Sequence, residues 1–118
     1  MNSEAAVIDV VGVRRTVSGD IDLLSELVGI LQDELPGMRS ALQLAAARRD
    51  GPAVALAAHR LKGSLSALGA VCASTAARIE QAARFGSMET VNPLAAQLES
   101  EISNVVPALQ TLLNSEEL

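Results

Sequence analysis

Aromatic residues are almost missing from this 118-residue chain, which has one Phe, no Trp and no Tyr. A β-sandwich draws on aromatic and β-branched residues at alternating positions. Binding of single-stranded nucleic acid draws on aromatic stacking platforms. Basic residues are also scarce: Lys and Arg number 9 against 14 Asp and Glu, and the formal net charge is -5. Four of the eight arginines stand in the pairs Arg14-Arg15 and Arg48-Arg49, and the basic residues form no long stripe. Phosphate neutralisation along a nucleic acid needs clustered cations, so no nucleic-acid partner is expected. The lone Cys72 excludes an intramolecular disulfide and fits a reducing compartment. No apolar run reaches the roughly 18 residues that span a bilayer. The opening MNSEAAVIDVVGVRR has no basic stretch before its apolar part, so no signal peptide is expected. These absences point to a cytoplasmic protein with no membrane partner.

Ligand-binding patterns are missing too. One His and one Cys on different helices cannot close a metal site. There is no Glu-x-x-His repeat of the kind that builds di-iron bundles. There is no G-x-x-x-x-G-K-[ST] loop for phosphates. No metal and no cofactor is therefore expected.

What remains is rich in Ala, Leu and Val, within a hydrophobic content of 49%. Ala and Leu are strong helix formers, so the chain reads as all-α. A short apolar cluster over 5–15 (Val7, Ile8, Val10, Val11, Val13) predicts a short N-terminal helix, and 16–20 predicts a turn with Asp20 as N-cap. From there Leu23, Leu24, Leu27, Leu31, Leu35, Met38, Leu42 and Ala45 recur at spacings of three and four. The apolar phase passes straight through Pro36-Gly37. One long helix over about 20–48, kinked near Pro36, fits better than two collinear ones. RRDGP at 48–52 stops it with a basic last turn, Gly and Pro. Further helices are predicted over about 52–68, closed by Gly69, and over about 71–85. A last one runs from about 88 or 93 to 114, with a kink at Pro107 and a stripe from Leu94 to Leu113. Four main helices with short turns predict an antiparallel up-down four-helix bundle with a short extra N-terminal helix. It forms a single domain over 1–118, with its core over about 20–114. No second apolar stripe is evident, so a monomer is expected.

The chain's one histidine lies in AAHRLKGSLSALGA, residues 57–70. On a helical wheel Val54, Ala57, Ala58, Leu61, Leu65 and Leu68 share the core side. Ala55, His59, Lys62, Gly63 and Ser66 fall on the other. A lone surface histidine on a helix is ordinarily inert. Gly63 argues otherwise, because a mid-helix glycine costs about 1 kcal/mol relative to alanine. Core packing does not explain a glycine on the outer face. A missing side chain beside His59 leaves room for a close visitor. Lys62, one turn away, gains nothing from a neutral imidazole but stabilises negative charge added to it. Imidazole is abundant in neutral, nucleophilic form near pH 7. The constellation suits a nucleophile that carries a phosphoryl group in the open. Leu56, exposed beside it, together with Arg60 and Ser66, marks a surface for a protein partner. Leu31, Leu35 and Met38 either flank that surface or belong to the core.

HRLKGSLSALGA resembles the signature of histidine-containing phosphotransfer (HPt) domains, H-x-L-K-G-[small]-x-x-x-[L/I]-G. His59, Leu61, Lys62, Gly63, Ser64, Leu68 and Gly69 meet its fixed positions. SGDIDLLSELVGILQDELPGMRSAL resembles the family's preceding helix and ARIEQAAR its following one, so the likeness spans about residues 8–113. The resemblance implies a phosphorelay intermediate without an ATP site of its own. His59 would accept a phosphoryl group at Nε2 from a receiver-domain aspartate and donate it to another receiver. Lys62 would stabilise the phosphoryl oxygens, Gly63 would give clearance, and Ser64 would be a supporting small residue. A Glu or Gln on the next helix would orient the imidazole through Nδ1. Gln81 keeps the family's spacing and is preferred, with Glu80 as the alternative. The partners implied are receiver domains of response regulators and of a hybrid sensor histidine kinase, which supply the Mg²⁺ and the acidic cluster. Two other functions fit the same residues. One is a receiver-docking helical module without phosphotransfer. The other is the histidine-bearing domain of a chemotaxis-type kinase.

Overall fold

The computed structural model describes residues 7–115. Among them the chain forms six helices: α1 (Val10–Val17), α2 (Ile21–Ala47), α3 (Gly51–Ala67), α4 (Ala73–Arg84), α5 (Met88–Ile102) and α6 (Val105–Ser115). Helix α3 lies between α2 and α4. Helix α4 packs on α5, α2 also meets α5 and α6, and α1 rests on α2. No helix among the described residues is long and apolar enough to cross a membrane.

Helix α1 starts later than the apolar pattern predicts. Asp9 caps it by accepting from the Gly12 amide at 3.1 Å. Part of the predicted 5–15 segment lies outside the described residues. Ile8 does not join the helix but forms an isolated β-bridge with Ala70. Ile8, Val13 and Val17 are buried, so the core begins before residue 20, while Val10 and Val11 face solvent.

Helix α2 is one continuous helix across Pro36, as its apolar phase predicts. Proline leaves the carbonyl four residues earlier without its amide partner. That carbonyl belongs to Gln32, which is exposed, so water can serve it. Leu24, Val28, Leu31, Leu35, Leu42 and Ala45 form the buried stripe. Leu23, predicted for that stripe, is exposed instead. Leu31 and Leu35 belong to the core and are not available for docking; Met38 is half-buried.

The stop between α2 and α3 differs in detail from its prediction. Arg49, not the glycine, takes the left-handed conformation at φ +52°. Asp50 then caps α3 by accepting from the Ala53 amide at 3.1 Å. Gly51 opens the helix, where a Cβ would stand 3.3 Å from the Ala83 carbonyl oxygen of α4. The glycine thus permits a close approach and does not terminate anything.

The predicted last helix is two. Pro107 has no N–H, and its ring crowds the carbonyl four residues back, at Ser103. Helix α5 therefore ends at Ile102, and α6 restarts at Val105 with Pro107 in its first turn, where a missing amide hydrogen is harmless. Leu94, Leu98, Ile102, Val105 and Leu109 keep a continuous buried stripe across the break.

Candidate functional site

Helix α3 is gripped on two sides, by α2 and by α4. Its buried arc is consequently wider than one core stripe, and Ala55, predicted to face outward with His59, is buried. His59 and Gly63 remain on the exposed surface. Lys62 leans toward α4, and Ser64 leans toward α2.

One carboxylate organises the α4 side. Glu80 is only 8% exposed, a rare burial for an ionisable side chain. Its Oε2 lies 3.1 Å from His59 Nδ1. The same oxygen accepts from Arg84, at 2.8 Å from Nη2 and 3.2 Å from Nε. Its Oε1 lies 3.1 Å from Lys62 Nζ. The Arg84 guanidinium, with help from Lys62 and His59, outweighs the cost of burial and pushes the Glu80 carboxyl down to about 2. Near neutral pH it is ionised and can only accept hydrogen bonds. Nδ1 must then carry the proton of a neutral ring, which leaves the lone pair on Nε2. The His59 side chain is 58% exposed, and Nε2 has no protein partner among the described residues.

Of the two residues expected beside the imidazole, the structure places the alternative, Glu80, there. Gln81 is exposed and is not brought to the imidazole, whereas Glu80 is. Ile79 and Ala83 bury the core side of α4, and Glu80 sits at the edge of that side, against α3. Gln81 lies one residue, about 100°, further round. Arg84 belongs to the cluster, and its i+4 spacing from Glu80 was the signal for it, usable once Glu80 is placed.

The other predicted residues divide. A Cβ on Gly63 would meet nothing within 4 Å, so nothing inside the molecule requires a glycine there. The Ser64 hydroxyl donates to Met38 Sδ at 3.6 Å and ties α3 to α2. The Ser66 hydroxyl donates to the Lys62 carbonyl at 2.7 Å and so is held on its own helix. Leu56 is 54% exposed and Arg60 is exposed. Two open grooves flank this face, and Leu56 lines both. One carries Asp33, Glu34, Met38 and Arg60; the other carries His59, Arg49 and Arg84.

The model of the Hpt domain family matches residues 26–108. The chain belongs to the Hpt domain family. The match takes in α3 and α4 whole, and so every member of the His59–Lys62–Glu80–Arg84 cluster. Hpt domains are phosphocarrier modules of two-component signalling, not classical enzymes, and they interact with receiver domains of response regulators. No curated protein and no solved structure matches the chain.

Proposed function

We propose that this Hpt domain is a phosphorelay intermediate in which His59 accepts a phosphoryl group from a receiver-domain aspartate and donates it to another receiver. The observation that carries this is the bond between Nδ1 and the ionised Glu80 at 3.1 Å, which leaves Nε2 as an exposed nucleophile. In the forward step the Nε2 lone pair forms the N–P bond while the P–O bond to the aspartyl carboxylate breaks. The aspartate leaves with that electron pair. The ring keeps its Nδ1 proton and becomes positive, and Glu80 beside it balances that charge. The reverse step, onto another aspartate, uses the same geometry.

Lys62 serves the phosphoryl oxygens, since its ammonium lies one helical turn from the acceptor. Gly63 clears the approach for the receiver. Ser64 supports the face by its link to Met38. Leu56, Arg60 and Ser66 lie on the docking surface, with Ser66 contributing small size because its hydroxyl is already engaged. Mg²⁺ and the acidic cluster come from the receiver, so the domain needs no ATP site. The receivers are those of response regulators and of a hybrid sensor histidine kinase. We further infer a single domain over 1–118, monomeric and cytoplasmic. In it α2, α3, α4 and the α5–α6 pair form an antiparallel up-down four-helix bundle.

The test is incubation with a phosphorylated receiver. An acid-labile, base-stable phosphoryl group is expected on the chain and absent from His59→Gln. Labelling of His59→Gln refutes the acceptor assignment, and no labelling of the unaltered chain reduces the domain to a docking module.

A further inference from the structure

We propose that Arg84 is a positioning residue for phosphotransfer: it holds Glu80 Oε2 against His59 Nδ1 and so frees Lys62 to leave the carboxylate for the phosphoryl group. This rests on His59 being the acceptor.

The division of the carboxylate oxygens carries the inference. Oε1 belongs to Lys62, while Oε2 is shared by His59 and Arg84. A phosphoryl group on His59 competes with Oε1 for the Lys62 ammonium. When the ammonium moves, Glu80 loses one of its two cationic partners. A carboxylate this buried is costly to leave without charge compensation. Arg84 meets that need at the other oxygen, Oε2. Two of its nitrogens converge on Oε2, so the oxygen facing the imidazole stays fixed whichever way Lys62 turns.

Placement favours the same role. Arg84 is the last residue of α4, where a cation sits well against the helix dipole with or without Glu80. Its side chain is 62% exposed, but the Glu80 side chain it meets is only 10% exposed, so the pair also compensates a buried charge. Stability is thus one reason for the pair. The convergence of two Arg84 nitrogens on Oε2, the oxygen that faces the imidazole, is the second.

His59 is the only histidine, so its imidazole nitrogens are unambiguous in a ¹⁵N spectrum. At mildly alkaline pH the full chain is expected to hold mostly the Nδ1–H tautomer. Arg84→Ala is expected to shift the population toward Nε2–H. It should also slow acceptance from a phosphorylated receiver up to about tenfold, the low end of the scale for losing an outer partner of a metal-bound imidazole, since Arg84 acts through Glu80. Arg84→Lys should restore most of both. An unchanged tautomer balance in Arg84→Ala overturns the proposal, even if transfer slows, since Arg84 would then act on the receiver or the phosphoryl group directly. The tautomer readout needs no phosphoryl transfer. Its failure is thus distinct from failure of the acceptor assignment, which shows as an unlabelled wild-type chain.

Discussion

His59 Nδ1 and Glu80 Oε2 stand 3.1 Å apart across the α3–α4 contact, 21 positions along the chain. The pair joins a side chain that is 58% exposed to the most buried one of the site. Burial fixes the carboxylate, the carboxylate fixes the ring, and the ring presents Nε2 outward. Arg84 and Lys62 keep the carboxylate charged while it does this.

Removal of Glu80 should therefore cost more than removal of its neighbour. Glu80→Ala is expected to slow phosphoryl acceptance by about 10- to 100-fold, by analogy with the loss of a metal-bound imidazole's orienting carboxylate. Gln81→Ala should stay within about twofold, because surface changes away from such contacts are nearly neutral. Transfer rates from one phosphorylated receiver to both variants check this. Equal losses would return Gln81 to the site.

The Glu80 carboxyl also ties stability to acid pH. Its folded value is about 2, below the ordinary 4.5. On acidification the unfolded chain takes up this proton first. The stabilisation is thus fully present above about pH 4.5 and is lost as pH falls toward 2. Denaturant titrations of the wild type and Glu80→Gln across that window are expected to converge as the pH drops. A stability difference that stays constant through the window contradicts the linkage.

Much of this was legible in the sequence, because helical periodicity is a local signal. The unbroken α2 followed from an apolar phase that ignores Pro36, and the outward face of α3 followed from its wheel. The misses have non-local or register-sensitive causes. The stripe through Ile102 and Val105 continues across the α5–α6 break, so periodicity hid it, while Pro107 marked it four residues downstream. Ile8 pairs with Ala70, over sixty positions away, and no local pattern reports such a bridge. Glu80 and Gln81 differ by one residue, and the shape of the 68–72 turn decides between them. That turn is held from outside, by Asp9 N–H donating to the Gly69 carbonyl and Val71 N–H donating to the Val7 carbonyl.

Gly63 should separate stability from transfer. With nothing within 4 Å of its would-be Cβ, alanine fits without a clash. Gly63→Ala is expected to raise stability by about 0.5–1 kcal/mol, the ordinary helix-interior difference. A bulkier Gly63→Leu should keep the fold and slow transfer from a receiver severalfold. Thermal melts and transfer rates on the same samples check both. A transfer rate untouched by leucine removes the clearance role.

Gly69, six residues on in the same motif, should behave in the opposite way. Its φ is +69°, in the region that disfavours side chains. A Cβ there would stand 2.6 Å from Val13 Cγ2 and 3.0 Å from the Asp9 carbonyl oxygen. The valine methyl can turn aside, but the Asp9 backbone is fixed by its own bond to Gly69 and by its place as the cap of α1. Gly69→Ala must then either strain the α3–α4 turn or push the N-terminal segment off it. The expected cost is about 1–3 kcal/mol. Hydrogen exchange should show it first as lost protection of the Asp9 and Val71 amides. His59 stands ten positions away on a face this turn does not line, so the folded variant should still accept a phosphoryl group. Opposite stability changes at Gly63 and Gly69 would show that one glycine of the motif is kept for a visitor and the other for the chain's own backbone. A shared sign would mean that both serve the fold alone.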